Sequence, residues 1–429
     1  MSESFQWNPH SDQPHNIAPK KKRINYYFKH ADSYIDIFSA NLNKAVPALS
    51  LYRRYKKKMY NETVKIVKPF AISVSQQEEK NTEIADSLRE IGVCQTLVRI
   101  PSWERDKLQS FEKFFDILQK KEIEFSVALL QQRDDVLHPS HWEHFLEDVF
   151  SSFGGKCSFF EIGHAWNRSK WGVWDHKEYL KLARPAFFLA KYYGVKLVGP
   201  AVIDFEFHLY APVLKEIPFD KVSSLLYVDR MGAPENKQFG WNTPRKIALL
   251  KAIIDACLKK KQCLWITEVN WPLQGTGKYS PASGKPNVSE EQQADYLVRY
   301  FILALASGYI ERIYWWQLAA PGYGLIDCRE KTWRKRPSFF AMKTLVSFLE
   351  GSTFTGKIHQ PGVELFSFSK GKKNFTICWS NRGHLPFYEY CFPKKVIEVV
   401  GRDGKEISFK DNKIKITESP IYVFSEDSS

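Results

Sequence analysis

This chain is poor in the residues that staple small proteins or hold metals. Seven cysteines, at 94, 157, 257, 263, 328, 378 and 391, form an odd set with no CxxC pair. That spacing argues against a disulfide framework and against a cysteine zinc site. No metal or redox cofactor is implied. No apolar run is long enough to span a bilayer. Met1 to Lys22 is polar and has no apolar h-region, so no secretory signal is read there, and the expected location is the cytoplasm. No GxGxxG follows the first apolar strand, which disfavours an open dinucleotide-binding sheet. Acidic residues are scarce at the N-terminus. Residues 1–65 hold 12 Lys/Arg against 5 Asp/Glu and so carry half of the net charge of +14.

What is abundant is apolar and aromatic. Apolar residues make up 44% of the chain, enough for a large core, and 13 are Trp, a residue that stacks on sugar rings as readily as it fills cores. From Lys68 onward short β-rich runs alternate with helical patterns. The runs are Phe70–Val74, Gln95–Ile100, Glu124–Leu129, Phe159–Ile162, Val195–Val198, Ser224–Val228, Cys263–Ile266 and Arg312–Trp316. Helical patterns lie between them, as at Thr82–Ile91, Lys107–Lys121, His141–Phe153, His176–Tyr193, Thr243–Lys260, Ser289–Ser307 and Pro337–Leu349. Ser289 with Gln292 fits a capping box, Thr243-Pro244 puts proline at a helix start, and Gly92, Gly194 and Gly308 stand at helix ends. Eight such units predict parallel strands closed into a (β/α)₈ barrel over residues 67–350. After Gly351 short alternating runs, including Val363–Phe368, Asn374–Trp379 and Glu406–Phe409, predict a small antiparallel, sandwich-like β-domain over 351–429. Residues 1–66 read as a basic extension: a mobile tail, then an amphipathic helix over Tyr34–Tyr60 with Pro47 expected to break or kink it.

In a parallel barrel the active site lies at the carboxyl ends of the strands. The chemistry-bearing residues there are Arg99 on the second strand, and Glu161, His164, Ala165 and Asn167 on the fourth. Asp204, Glu206 and His208 follow the fifth. Tyr227 and Asp229 stand on the sixth, Glu268 on the seventh, and Trp315 and Trp316 on the eighth. A carboxylate at the end of an apolar run, as in Leu264-Trp265-Ile266-Thr267-Glu268, is costly to desolvate and points to function.

These motifs resemble the glycoside hydrolases of clan A, retaining (β/α)₈ enzymes that include β-xylosidases and iduronidases. Ile266-Thr267-Glu268 resembles their seventh-strand nucleophile motif, and Arg99 resembles the arginine that orients the nucleophile. Ile313-Tyr314-Trp315-Trp316, Gly322-Tyr323-Gly324-Leu325-Ile326-Asp327 and Arg336–Lys343 resemble the eighth strand and closing helix. The resemblance covers roughly residues 68–350 and implies a carbohydrate substrate. Glu268 would attack the anomeric carbon. Arg99, Glu161, Asn167, Tyr227 and Asp229 would line the sugar site, with Trp315 or Trp316 as its stacking platform.

The departure is on the fourth strand. Where the clan reads Glu-Ile-Gly-Asn-Glu-Pro-Asn, this chain reads Glu161-Ile162-Gly163-His164-Ala165-Trp166-Asn167. Ala165 stands at the general acid/base position, and general acid catalysis is typically worth ~10²–10⁴-fold. Three readings follow. Another side chain supplies the proton, with His164, Glu206, His208 and Asp229 as candidates. The substrate carries a leaving group that needs none. Or the chain binds a glycan on a decayed scaffold without cleaving it. The basic surface suggests an anionic glycan or glycolipid, as in cell-envelope polysaccharide or lipopolysaccharide metabolism. It also suggests peripheral membrane contact at the inner membrane through residues 34–60. No nucleic-acid recognition module is present, so nucleic acid is not an expected partner.

Overall fold

The structure, a computed structural model, describes residues 6–9, 11–15, 20–229, 231–258, 262–280, 286–381 and 387–426. The side chains of residues 20–23 and 27 lie outside that description, and so do Met1–Phe5 of the expected tail and the predicted helix end at Lys260.

Eight parallel strands close into a barrel: β1 (Phe70–Val74), β2 (Gln95–Pro101), β3 (Glu124–Leu130), β4 (Phe160–Ile162), β5 (Leu197–Ile203), β6 (Lys221–Leu225), β7 (Leu264–Val269) and β8 (Ile310–Trp315). Each strand pairs with the next, and β8 returns to pair with β1 through Ile313–Phe70 and Trp315–Ile72. The strands are buried on both faces, which is why they read as continuous apolar runs rather than alternating ones. Ala71, Leu97, Ala128, Val198, Leu225, Trp265 and Tyr314 fill the barrel interior. Phe70, Ile72, Val98, Val127, Phe160, Ile266 and Ile313 face the surrounding helices.

Those helices are α3 (Asn81–Ile91), α4 (Leu108–Lys120), α5 (Pro139–Phe153), α6 (His176–Tyr193), α7 (Tyr210–Leu214), α8 (Thr243–Cys257), α9 (Glu290–Leu305) and α10 (Pro337–Leu349). Their ends follow local chemistry. The Asp175 carboxylate accepts the Glu178 amide at the start of α6, and Ser289 and Gln292 form the expected capping box on α9. Gly92 and Gly194 end α3 and α6 in the left-handed region. The cap of α8 is Asn242 rather than Thr243, its side chain accepting from the Arg245 amide at 3.2 Å.

Three sequence readings shift. Strand β5 starts at Leu197 and runs to Ile203, through Gly199-Pro200, where the predicted run is Val195–Val198. Strand β6 ends at Leu225, so Tyr227 belongs to the loop above it. Pro47 does not end its helix, since α2 (Ala31–Lys58) is continuous through it. A mid-helix proline costs about 3 kcal/mol. Docking of α2 on α8, with Ala48 and Tyr55 buried and the Tyr55 hydroxyl bonded to Asp255, offsets that cost. A shorter helix, α1 (Lys20–Lys29), precedes it.

After the barrel, β9 (Thr353–Gln360), β10 (Val363–Lys370), β11 (Lys373–Ser380), β13 (Val396–Gly401) and β15 (Ile421–Ser425) form an antiparallel sheet. Val64–Lys65 joins this sheet beside β9, so the chain just before the barrel is stitched to the C-terminal layer. The pair β12 (Tyr388–Cys391) with β14 (Lys413–Ile416) covers the sheet's outer face around Leu365, Val399 and Ile416. The predicted run Glu406–Phe409 is not a strand; within it only Glu406 makes a bridge, to Val400. The inner face is continuous with the barrel's helical shell through Phe366, Phe375, Trp379 and Phe424.

The described N-terminal residues, 6–9 and 11–15, are built into the fold. Trp7–Asn8 pairs with Gln13–Pro14 as a small hairpin over the barrel mouth. The Trp7 ring packs on Trp103 and Trp171, with centroids 5.2 and 6.0 Å apart. The Tyr323 hydroxyl donates to the Ser11 carbonyl at 3.2 Å. No helix among the described residues is long and apolar enough to cross a membrane.

Candidate active site

At the carboxyl ends of the strands lies a cavity of about 430 Å³, lined by residues including Arg99, His164, Ala165, Tyr227, Glu268 and Trp316. Its volume falls in the range of small-molecule sites.

Glu268 reaches it because β7 carries a bulge. Ile266 pairs with Ile313, but Val269 pairs with Trp315, so three steps on β7 match two on β8. Trp265 and Thr267 face the barrel interior. The extra residue lets Glu268 face the cavity as well, while Val269 returns to the outer core. One Glu268 oxygen accepts from Arg99 Nη2 and lies 3.2 Å from His164 Nε2, and the other accepts from the Tyr227 hydroxyl. Burial pushes this carboxyl up, but Arg99, His164 and Tyr227 outweigh it and bring it down to about 2. Glu268 is therefore an ionised, fixed carboxylate.

Burial, reinforced by the charge of Arg99, lowers His164 to about 4, so its ring is neutral. Its Nε2 lies 3.0 Å from Arg99 Nη2 and 3.2 Å from the Glu268 carboxylate, and its Nδ1 is buried without a protein partner. Gln131, fully buried, fixes this corner. Its oxygen accepts the His164 amide at 2.8 Å, and its amide group donates to the carbonyls of His164 and Trp171 at 3.0 and 3.1 Å.

The loop after β4 needs glycine at both ends. Gly163 has φ +74°, and a Cβ there would meet Tyr179 at 3.0 Å; Gly172 has φ +86°, and a Cβ would meet the Arg133 amide at 2.3 Å. Ala165 itself is left-handed, at φ +42°, a conformation that costs a residue with a Cβ about 1 kcal/mol. It is buried and presents only a methyl group to the cavity.

The remaining expected site residues divide. Arg99, His164, Tyr227, Asp229, Glu268 and Trp316 come together at the cavity; Glu161, Asn167, Glu206 and Trp315 do not. Glu161 lies inside the barrel near Thr267 and Ser223, and burial raises it to about 7. Asn167 is consumed by structure: it binds the Ile203 amide at 2.9 Å, the Ile203 carbonyl at 3.0 Å and Glu206 at 3.0 Å. Glu206 is held by Arg168 and Asn167 and lies off the cavity, away from Glu268, so it is not placed as a proton source. His208 is exposed and also off the cavity. Asp229 accepts from the backbone amides of Met231 and Gly232.

Neither tryptophan offers an open platform. Trp315 is completely buried against Trp271, with centroids 6.1 Å apart. One face of Trp316 is covered by the Arg99 guanidinium, 3.2 Å from the ring centroid, and Tyr323 stacks at 6.5 Å. The Trp316 ring is only 3% exposed. Trp315→Ala is expected to destabilise the chain by about 3–5 kcal/mol in urea unfolding. An unchanged midpoint would mean the ring is not a core element.

Ser11, Asp12, Gln13 and Lys170 also line the cavity and went unread in the sequence. Lys170 stands within the loop after β4 and donates to Gln13. The N-terminal three carry no local signal, because only the closed fold brings residue 12 beside residue 99. Among the described residues no cluster of three or more His, Cys, Asp or Glu could hold a metal ion.

No protein-family model matches the sequence, and no curated protein matches it. Solved structures do match in fold. A family 39 glycoside hydrolase from the gut symbiont Bacteroides cellulosilyticus WH2 superposes with a TM-score of 0.66 at 15% identity, over 84% of this chain and 81% of that one. A GH30 endoxylanase from Clostridium papyrosolvens C71 gives 0.58 at 11% identity, over 86% and 98%. A GH51 arabinofuranosidase from Xanthomonas axonopodis pv. citri gives 0.57 at 11% identity, over 85% and 98%. The chain has the fold of clan A glycoside hydrolases: a (β/α)₈ barrel with a C-terminal β-domain.

Proposed function

We propose that this chain is a retaining-type glycosidase acting on a glycan or glycoconjugate, with Glu268 as its nucleophile. The observation that carries this reading is Glu268 itself. It is ionised, buried and aimed into the cavity, held by Arg99 and Tyr227 with His164 beside it. A structural ion pair would need neither the bulge that turns Glu268 inward nor an open cavity in front of it. Arg99 and Tyr227 orient the carboxylate, with neutral His164 packed beside it. The test is trapping. A dinitrophenyl 2-deoxy-2-fluoroglycoside panel covering xylosides, arabinofuranosides and glucosides should label Glu268, seen by peptide mass. Ala165 favours a second reading, a glycan-binding protein on a decayed scaffold. Its signature is glycan-array binding with no label on Glu268 from any member of the panel.

The basic N-terminal segment supports an anionic glycan or glycolipid substrate handled at a membrane surface, as in cell-envelope polysaccharide or lipopolysaccharide metabolism. Along α2, Ile35, Phe38, Leu42, Val46 and Leu49 form one exposed apolar stripe, with Val46 at 79% exposure. Residues 20–58 contain eleven Lys/Arg and two acids, Asp32 and Asp36, both paired with Lys177. An apolar stripe on a segment rich in lysine and arginine suits anionic lipid. Phe38→Ser with Leu42→Ser should abolish cosedimentation with phosphatidylglycerol vesicles and leave thermal stability unchanged, since both side chains are already in water. Undiminished binding would rule the stripe out.

A further inference from the structure

With Ala165 at the usual acid position, the proton for the leaving group has to come from elsewhere in the cavity. Three carboxyls besides Glu268 line it: Asp12, Asp204 and Asp229. Asp204 is ion-paired with Arg168, and Asp229 accepts two backbone amides. Both are committed to these partners in the folded chain.

Asp12 is different. It sits at the turn of the N-terminal hairpin, with φ +51°, in a left-handed conformation that aspartate tolerates better than most residues. The Ser75 hydroxyl lies 3.0 Å from the Gln317 side-chain oxygen and 3.3 Å from Asp12 Oδ2. Ser75 thereby tethers Asp12 to Gln317, whose amide nitrogen faces the Tyr323 hydroxyl at 3.4 Å. Burial, with the nearby Glu268 charge, raises the Asp12 carboxyl against the pull of Arg99, Ser75 and Gln317.

Arg99 joins the two groups. Its Nη2 holds Glu268, and its Nη1 lies 3.7 Å from Asp12 Oδ2, so the two carboxyls flank one guanidinium at the cavity. Glu268 is held low while burial raises Asp12, opposite displacements of the kind a nucleophile and an acid require.

Building on the proposed glycosidase reading, we infer that Asp12, carried in by the N-terminal hairpin, is the catalytic acid/base that replaces the missing fourth-strand carboxylate. Glu268 forms a bond to the anomeric carbon as the glycosidic C–O bond breaks, and the Asp12 proton passes to the departing oxygen. Asp12, now ionised, takes a proton from water as that water attacks the anomeric carbon. Glu268 leaves as a carboxylate and Asp12 regains its proton.

The experiment is a leaving-group series on the aryl glycoside that labels Glu268, run on the full chain and on Asp12→Asn. Loss of the acid should leave kcat/KM for the dinitrophenyl glycoside within a few-fold, lower its kcat because the second step loses its base, and cut kcat/KM for phenyl and alkyl glycosides by ~10²–10⁴-fold. With Asp12→Ala, azide should accelerate turnover of the dinitrophenyl substrate and yield a glycosyl azide. A role limited to seating the hairpin predicts equal slowing for every leaving group and no azide product. That result, or full activity of Asp12→Asn on alkyl glycosides, overturns the inference while labelling of Glu268 still stands. If the parent chain neither labels nor turns over, the glycosidase reading fails and this inference fails with it.

Discussion

Glu268→Gln is expected to reduce turnover of dinitrophenyl glycosides by on the order of 10⁴-fold or more, since loss of a covalent nucleophile leaves little beyond binding. Dinitrophenolate departs without a proton, so this substrate isolates the attacking group from any question about the acid. Glutamine keeps the size and can still accept from Arg99 or Tyr227, so the change removes charge and nucleophilicity with little change of shape. The variant should still fold, because the new carboxamide would remain between the same two donors. Comparable turnover by the variant would remove Glu268 as the nucleophile. Inactivity of both proteins across the panel would favour the glycan-binding reading instead.

Arg99→Met should have the second largest effect, and it reads out in two ways. Arg99 is 7% exposed and touches Glu268, His164, Asp12 and Trp316. Removing one partner of a buried pair leaves the other charge uncompensated, at about 3–5 kcal/mol. The pH dependence is the sharper signature. In the parent chain Glu268 is held at about 2, below the ordinary glutamate value of 4.5. A depressed folded value contributes stability that is present above 4.5 and lost as pH falls toward 2, by roughly 3 kcal/mol for this shift. Activity that needs the ionised form should therefore show no acid limb from Glu268 at ordinary assay pH. Without Arg99, burial dominates and the carboxyl rises, so an acid limb should appear and move upward. Arg99→Lys should recover part of the charge but not the two-sided grip, because an ammonium cannot present Nη1 to Asp12 and Nη2 to Glu268 together. An unchanged acid limb in Arg99→Met would mean that the guanidinium does not hold Glu268 ionised.

Much of the barrel is written in local chemistry. Buried strands announce themselves as apolar runs such as Gln95–Ile100, and helices as capped periodic segments such as Ser289–Ser307. Glu268 and Arg99 are legible for the same reason, being polar residues at the ends of runs that should contain none. Asn167 and Trp315 mislead for the converse reason. Their types suit sugar binding, but type does not say which way a side chain faces. Asn167 turns back to stitch the loop to β5, and Trp315 falls on the outer face of β8.

The sequence by itself determined the repeating strand–helix units, the antiparallel tail, the carboxylate at the end of the seventh strand and the absence of one at position 165. Those are properties of short windows, set by hydrophobic period and residue type. Tertiary structure decided the rest. The bulge that turns Glu268 inward depends on how β7 pairs with β8. The cover on Trp316 depends on Arg99 arriving from β2. Asp12 enters the cavity because a hairpin that looks like polar tail finds Trp103, Trp171 and Tyr323 waiting at the barrel mouth. Contacts between residues far apart in the chain are made only when the barrel closes, and no local pattern encodes where the closure will bring them.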